Sequence, residues 1–262
     1  MGTFPDIASG EPISVSATLY VTYRTCPQQA LGRLQGIYPP DTVVSFKGSL
    51  AHRLFARHLT SGPIPDDQML QACREEIGAR EGHLNEKLAS LALNRPSKLA
   101  PVLAEVGDLY ERFRRFPTEG FRQAEVPVEV AVPGDVMLRG RVDAVFDDAD
   151  GVAIVDWKTG SWLANSEVQL GFYVLAWWLM FDEMPSRAEA VSVSTGERAG
   201  VDPNVEQAEA TAREVAAMVE DLRDALAVDG ELERRAGPHC RWCPLLPDCS
   251  EGTTAVGLLD GS

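Results

Sequence analysis

The chain has 262 residues, 45% of them hydrophobic and 24% charged, a globular composition that excludes a disordered or collagen-like polymer. It contains no long apolar run, so no membrane-spanning helix is expected, and its first residues, MGTFPDIASGEPIS, lack the basic start and apolar centre of a secretory signal, so a cytoplasmic setting is expected. The net charge of −15 argues against a uniformly nucleic-acid-binding surface, but residues 201–233 hold ten acids and two bases and so carry more than half of that excess. Arginines cluster elsewhere, at 53 and 57, at 112, 114 and 115, at 139 and 141, and at 234, 235 and 241.

In chain order, residues 14–36 read as helix, with Ser16 as its N-cap and Pro27 interrupting it. The spacing of Leu50, Leu54, Phe55 and Leu59 predicts an amphipathic helix over 49–60, broken at Gly62-Pro63. Asp66 or Asp67 is expected to cap a helix through about residue 93, with Met69, Leu70, Cys73 and Ile77 on one stripe, and a further helix is expected over 98–116. The period then changes. Residues 123–160 alternate and are rich in β-branched side chains, with turn signals at Pro133-Gly134 and at 147–151, which predicts a three-stranded meander. A helix over 166–181, a strand over 188–195, an acidic helix over 204–228 and a cysteine-rich tail over 237–250 complete an α/β chain with a mixed sheet and no dividing linker.

The densest chemical signal is Gly140-Arg-Val-Asp143 followed by Val155-Asp156-Trp157-Lys158-Thr-Gly160. Asp156 and Lys158 are two residues apart on one strand and so share a face, and hairpin pairing brings Asp143 beside them. Two carboxylates at close range repel unless a divalent cation bridges them. Oxygen ligands suit Mg²⁺ or Mn²⁺, and a neighbouring lysine can act on a metal-bound water or a phosphate. The apolar run 152–155 places Asp156 at the end of a core strand.

The pattern GRVDAVF…VAIVDWKTG resembles the catalytic core of the PD-(D/E)xK nuclease superfamily in its RecB-like branch. That branch continues with a helix bearing Gln-x-x-x-Tyr, matched here by Gln169 and Tyr173, and carries an upstream helical histidine that ligates metal, matched by His52 in Gly48-Ser-Leu-Ala-His52. The resemblance implies a restriction-endonuclease-like core that cleaves DNA with Mg²⁺ or Mn²⁺. Asp143, Asp156 and Lys158 would be catalytic, Gln169 and Tyr173 would position substrate, and His52, Asp143, Asp156 and the Trp157 carbonyl would hold metal. One departure is that Asp156 stands where glutamate is commoner.

Five cysteines occur, at 26, 73, 240, 243 and 249. The last three form C-x₂-C-x₅-C between prolines, a metal or cluster site in a cytosolic chain, with Cys26-Pro27 as the candidate fourth ligand and Cys73 reading as a buried thiol. Spacing alone leaves zinc and iron–sulfur open. The opening up to Cys26-Pro27 resembles RecB-like nucleases with a 4Fe-4S cluster, such as the AddB nuclease and CRISPR-associated RecB-like exonucleases. That resemblance implies a cluster on Cys26, Cys240, Cys243 and Cys249 clamping both ends of one nuclease domain over 14–250, with a helical insertion over 45–122, a catalytic core over 123–195 and the clamp at 26 and 237–250. Trp242 is expected to shield the cluster, and Arg234, Arg235 and Arg241 to offer a phosphate-docking patch beside it.

The chain lacks G-x-x-x-x-G-K-[ST] and so carries no P-loop motor; a helicase or other DNA-processing partner is expected for duplex ends, in DNA repair, CRISPR adaptation or anti-phage defence. The competing readings are a non-catalytic adaptor on the nuclease fold and a zinc-binding regulatory module.

Overall fold

The computed structural model describes residues 2–79, 84–161 and 163–261. A short strand β1 (Ile13–Ser16) leads into helices α1 (Ala17–Thr25) and α2 (Pro27–Leu34). Four helices follow: α3 (Val43–Ser61), α4 (Met69–Gly78), α5 (Leu84–Ser90) and α6 (Pro96–Phe113). The meander is β2 (Phe121–Val132), β3 (Val136–Asp148) and β4 (Gly151–Lys158), followed by α7 (Ser166–Phe181), β5 (Arg187–Ser192), β6 (Arg198–Val201), α8 (Val205–Ala227) and α9 (Ser250–Asp260). Among the described residues no helix is long and apolar enough to cross a membrane.

The meander, α7 and the acidic helix lie where the residue pattern puts them. The differences have local causes. Residues 14–16 are strand rather than helix, because Ile13 and Val15 pair parallel to Val136 and Leu138, a long-range partnership that overrides local preference. Ser16 does cap α1, accepting from the Leu19 N–H at 3.1 Å. Helix α3 begins six residues before the expected 49, since Thr42 and Ser45 form a reciprocal capping box. Asp66 and Asp67 sit in a one-turn 3-10 segment, and α4 starts at Met69 without a side-chain cap. The expected helix through 93 is divided into α4 and α5, and its residues 80–83 lie outside the described residues. Strand β6 and helix α9 were not anticipated.

Strand β3 is the axis of the mixed sheet. β2 runs antiparallel along one of its edges from Phe121↔Phe146 to Val132↔Val136. The other edge is shared: β1 pairs parallel with Val136–Arg139, and β4 pairs antiparallel with Ala144–Asp148. Gly140, Arg141, Val142 and Asp143 therefore have no strand partner on that edge. Beyond β4, β5 joins in parallel through the α7 crossover, and β6 closes the sheet antiparallel.

Alternating side chains of β3 and β4 feed two cores. Val145, Val152 and Ile154 pack with α1, α2, α7 and α8 around Phe172, Leu175 and Met218. Ala144, Phe146, Ala153, Val155 and Trp157 pack with α3, α4 and α6 around Phe55, Tyr110 and Phe113. Each large apolar side chain so buried stabilises the fold by about 1.5–3 kcal/mol.

The β2–β3 turn depends on Gly134, whose φ is +80°. A Cβ there would lie 2.8 Å from Ile7 Cβ and 2.9 Å from the Ile7 carbonyl oxygen. Gly134→Ala should cost at least about 1–3 kcal/mol, read as a lower urea midpoint; an unchanged midpoint would show that the N-terminal segment does not clamp this turn.

Candidate active site

The unpartnered stretch of β3 is where the acidic and basic side chains meet. After Ala144↔Val155 the β3–β4 ladder stops, which frees the next backbone groups of β4. The Trp157 N–H donates instead to Asp143 Oδ2 at 2.8 Å, so the carboxylate replaces a missing ladder bond. In an extended strand the N–H and C=O of one residue leave on the same side, so the Trp157 carbonyl also faces the Asp143 side of β4. Its indole packs in the second core, edge-on to Phe113 with centroids 5.0 Å apart.

Asp156 is buried. Its Oδ2 forms an ion pair with Lys158 Nζ at 2.6 Å and accepts no well-aligned hydrogen bond, while its Oδ1 accepts from Gln169 Nε2 at 3.1 Å. Lys158 Nζ also donates to Gln169 Oε1 at 2.6 Å, and Gln169 Nε2 lies 3.0 Å from Tyr173 Oη. Gln169 and Tyr173 project from one face of α7. The Tyr173 ring packs on Gly140: a Cβ there would lie 3.0 Å from it, so the glycine of GRVD admits the ring.

From the other core, α3 supplies His52, whose Nδ1 lies 3.3 Å from Asp143 Oδ1. His58 is buried with its Nδ1 2.9 Å from Tyr110 Oη and faces away. The structure thus brings together His52, Asp143, Asp156, Lys158, Gln169 and Tyr173.

Reading the sequence alone missed Glu125. It lies on β2 opposite Asp143 of β3, and its ligand oxygen, one on Asp143 and a nitrogen of His52 all lie within 4.8 Å of one another. Glu125 has φ +53° within a strand, an unusual conformation for a side chain with a Cβ, and Arg141 donates to it at 3.1 Å.

Protonation follows from the crowding. Burial, then the Asp143 charge, push Asp156 above the usual carboxylate range, with Lys158 pulling it back. Burial opposes a charged His52, but Asp143, Asp156 and Glu125 together outweigh it and hold the imidazole pKa above normal. Burial and the Asp156 charge keep the Tyr173 phenol protonated. The Asp156 carboxyl and the His52 imidazole, crowded beside Asp143 and Glu125, match the donor set of a hard divalent cation, which would relieve the repulsion among them.

A family model described as the PD-(D/E)XK nuclease superfamily matches residues 14–250. The chain belongs to that superfamily. A solved structure described as "Crystal structure of SSO0001" is similar at 14% identity over 89% of this chain and 95% of that chain, with a TM-score of 0.36. No curated protein matches.

This superfamily member also gathers four of its cysteines. Cys26, Cys240, Cys243 and Cys249 line one cavity together with Gln29, Arg234, Arg235 and His239. Among the described residues the group at His52 is the only one in which three or more potential ligand atoms lie mutually within 4.8 Å, so no three of these sulfurs are that close. Gly237 and Gly252 N–H groups point at Cys240 Sγ and Cys249 Sγ at 3.4 and 3.3 Å. Cys73 is fully buried elsewhere.

Two expectations about this region fail. Trp242 is 71% exposed and does not line the cavity; residues three apart eclipse in the 3-10 turn Pro238–Trp242, so Cys240 and Cys243 face inward together and Trp242 faces out. The arginine patch is already engaged: Arg234 pairs with Glu231 and Glu251, Arg235 with Glu233, and Arg241 with Asp260.

If Glu125 shares the metal group, Glu125→Gln should weaken Mn²⁺ binding by at least about tenfold, since even indirect disturbance of metal ligands costs 10–100-fold; equal calorimetric affinity would remove it from the group. Because Asp156 and His52 hold their protons unusually well, Mn²⁺ must displace them. Affinity should therefore fall on acidification from pH 8 to 6, with proton release detectable as a buffer-dependent binding enthalpy.

Proposed function

We propose that the protein is a divalent-metal-dependent deoxyribonuclease that hydrolyses phosphodiester bonds, with residues 14–250 acting as one nuclease unit. The observation that carries this reading is the convergence of Asp143, Asp156 and Lys158 at the break in the β3–β4 ladder, within a chain of the PD-(D/E)XK superfamily.

His52, Glu125, Asp143, Asp156 and the Trp157 carbonyl would hold Mg²⁺ or Mn²⁺. When bound, the metal supplies Lewis acidity toward the phosphate and lowers the pKa of a water ligand. Lys158 is held by Asp156 and Gln169 as a cation at the mouth of the site, where its ammonium offsets charge on the attacked phosphate and holds a proton near the incoming water. Gln169 fixes both Lys158 and Asp156 and, with Tyr173, presents hydrogen-bonding groups toward a bound strand. Single-stranded DNA or DNA ends are the proposed substrate, with an unwinding partner for duplexes, in repair, CRISPR adaptation or anti-phage defence.

Asp143→Ala and Asp156→Ala should each abolish Mn²⁺-dependent DNA hydrolysis while thermal melting shows a retained fold. Lys158→Ala should lower turnover by about 10²-fold or more with DNA binding retained. Full cleavage by the Asp143→Ala/Asp156→Ala double variant would overturn the assignment.

The same reading places a 4Fe-4S cluster on Cys26, Cys240, Cys243 and Cys249. Support comes from the shared cavity and from backbone N–H groups aimed at two of the sulfurs. Its role would be structural, joining chain segments more than 200 residues apart and so restricting the unfolded chain. Anaerobically purified protein should contain about four iron and four sulfide per chain, and Cys26→Ser should lose them and melt at lower temperature. One tightly bound zinc without sulfide would replace the cluster by the zinc alternative.

A further inference from the structure

Helix α3 carries more than His52. Its buried stripe, Phe46, Leu50, Leu54 and Phe55, faces the second core. The opposite stripe lines two adjoining hollows that share Arg53 and Glu125. The first contains His52 and Asp143; the second continues past Ala56, Arg57 and Thr60 to Ser61. Together they form a groove that starts at the candidate active site and follows the helix from Gly48 to Ser61, about 20 Å at 1.5 Å per residue.

That stripe carries bases without acids of its own. Ser49, Arg53, Ala56, Arg57, Thr60 and Ser61 include two bases, no acid and no bulky apolar side chain, in a protein where acids outnumber bases 39 to 24. Small residues let a backbone approach the helix closely, and arginines recur at one helical turn. Glu75 of α4 holds Arg57 Nη1 at 2.8 Å, but a guanidinium has five N–H donors, so this contact orients the group and leaves donors for a phosphate. Glu76 and Glu125 also line the groove, Glu76 3.8 Å from Arg57 and Glu125 within the metal group.

We propose that this face of α3 is the track for the sugar–phosphate backbone of a single DNA strand on one side of the scissile phosphate, with Arg53 and Arg57 binding successive phosphates. The inference rests on the nuclease reading and adds to it a direction of travel: the strand leaves the metal group toward the C-terminus of α3. A groove that follows one helix suits one strand, and phosphate contacts fix register without reading sequence.

The test is binding of a fluorescein-labelled oligothymidine, with Ca²⁺ in place of the cleaving metal, across a range of salt concentrations. Each phosphate contact on a single strand contributes about 0.7 to the slope of log affinity against log salt. Arg53→Ala/Arg57→Ala should bind more weakly, with the slope reduced by about 1.4. Ala56→Lys, which adds a base to the same stripe in a good helix former, should bind more tightly, with the slope increased by about 0.7; a gain cannot come from unfolding, so this variant decides if the double variant melts early. Slopes equal to the parent's in the folded variants, with the parent still cutting DNA in Mn²⁺, would overturn the track alone. A parent that cuts no DNA would instead overturn the nuclease reading beneath it.

Discussion

The structure turns on an interruption in its own sheet. One edge of β3 is divided between β1 and β4, and neither covers Gly140–Asp143. Backbone polar groups left without partners inside a fold are costly, so the gap must be filled, and it is filled by chemistry. Asp143 takes the Trp157 N–H, the Tyr173 ring lies on Gly140, and the ends of β1 and β4 open into α1 and the loop before α7. The gap also lies where the two cores meet, so α3 reaches it from one side with His52 and α7 from the other with Gln169 and Tyr173.

Electrostatics follow the same division. The acidic face of α8 is tied to α1, where Tyr20 and Arg24 meet Glu214 and Tyr23 meets Asp221. Arg223 turns the other way and donates to the carbonyls of Ala8, Glu11 and Gly134. Two of the six acids of α8 therefore belong to a structural seam with α1. The α3 stripe beside the gap carries Arg53 and Arg57 and no acid of its own, while Glu75, Glu76 and Glu125 come to it from α4 and β2.

The cysteine cavity joins the α1–α2 corner to the tail between α8 and α9. Cys26 ends α1 and precedes Pro27 at the start of α2, while the 3-10 turn before α9 points Cys240 and Cys243 the same way. The arginines around it, Arg234, Arg235 and Arg241, each meet an acid of the tail.

The sequence by itself determined the meander, α7, the acidic helix and most of the candidate site. Those features rest on short-range rules: alternation in strands, i and i+2 on one strand face for Asp156 and Lys158, i and i+4 on one helix face for Gln169 and Tyr173. Glu125 was legible in principle, since counting outward from the Val132–Val136 pair at the Pro133-Gly134 turn sets it opposite Asp143, but a lone acid in an alternating strand carries no signal of its own. Strand β1, the early start of α3 and the neutralised arginines of the tail were decided by tertiary structure, through a parallel strand partner more than 100 residues away, a Thr–Ser cap, and acids brought in by folding. The break between β1 and β4 belongs to that second group, because it arises from two strands distant in sequence competing for one edge, and no local pattern records where each of them stops.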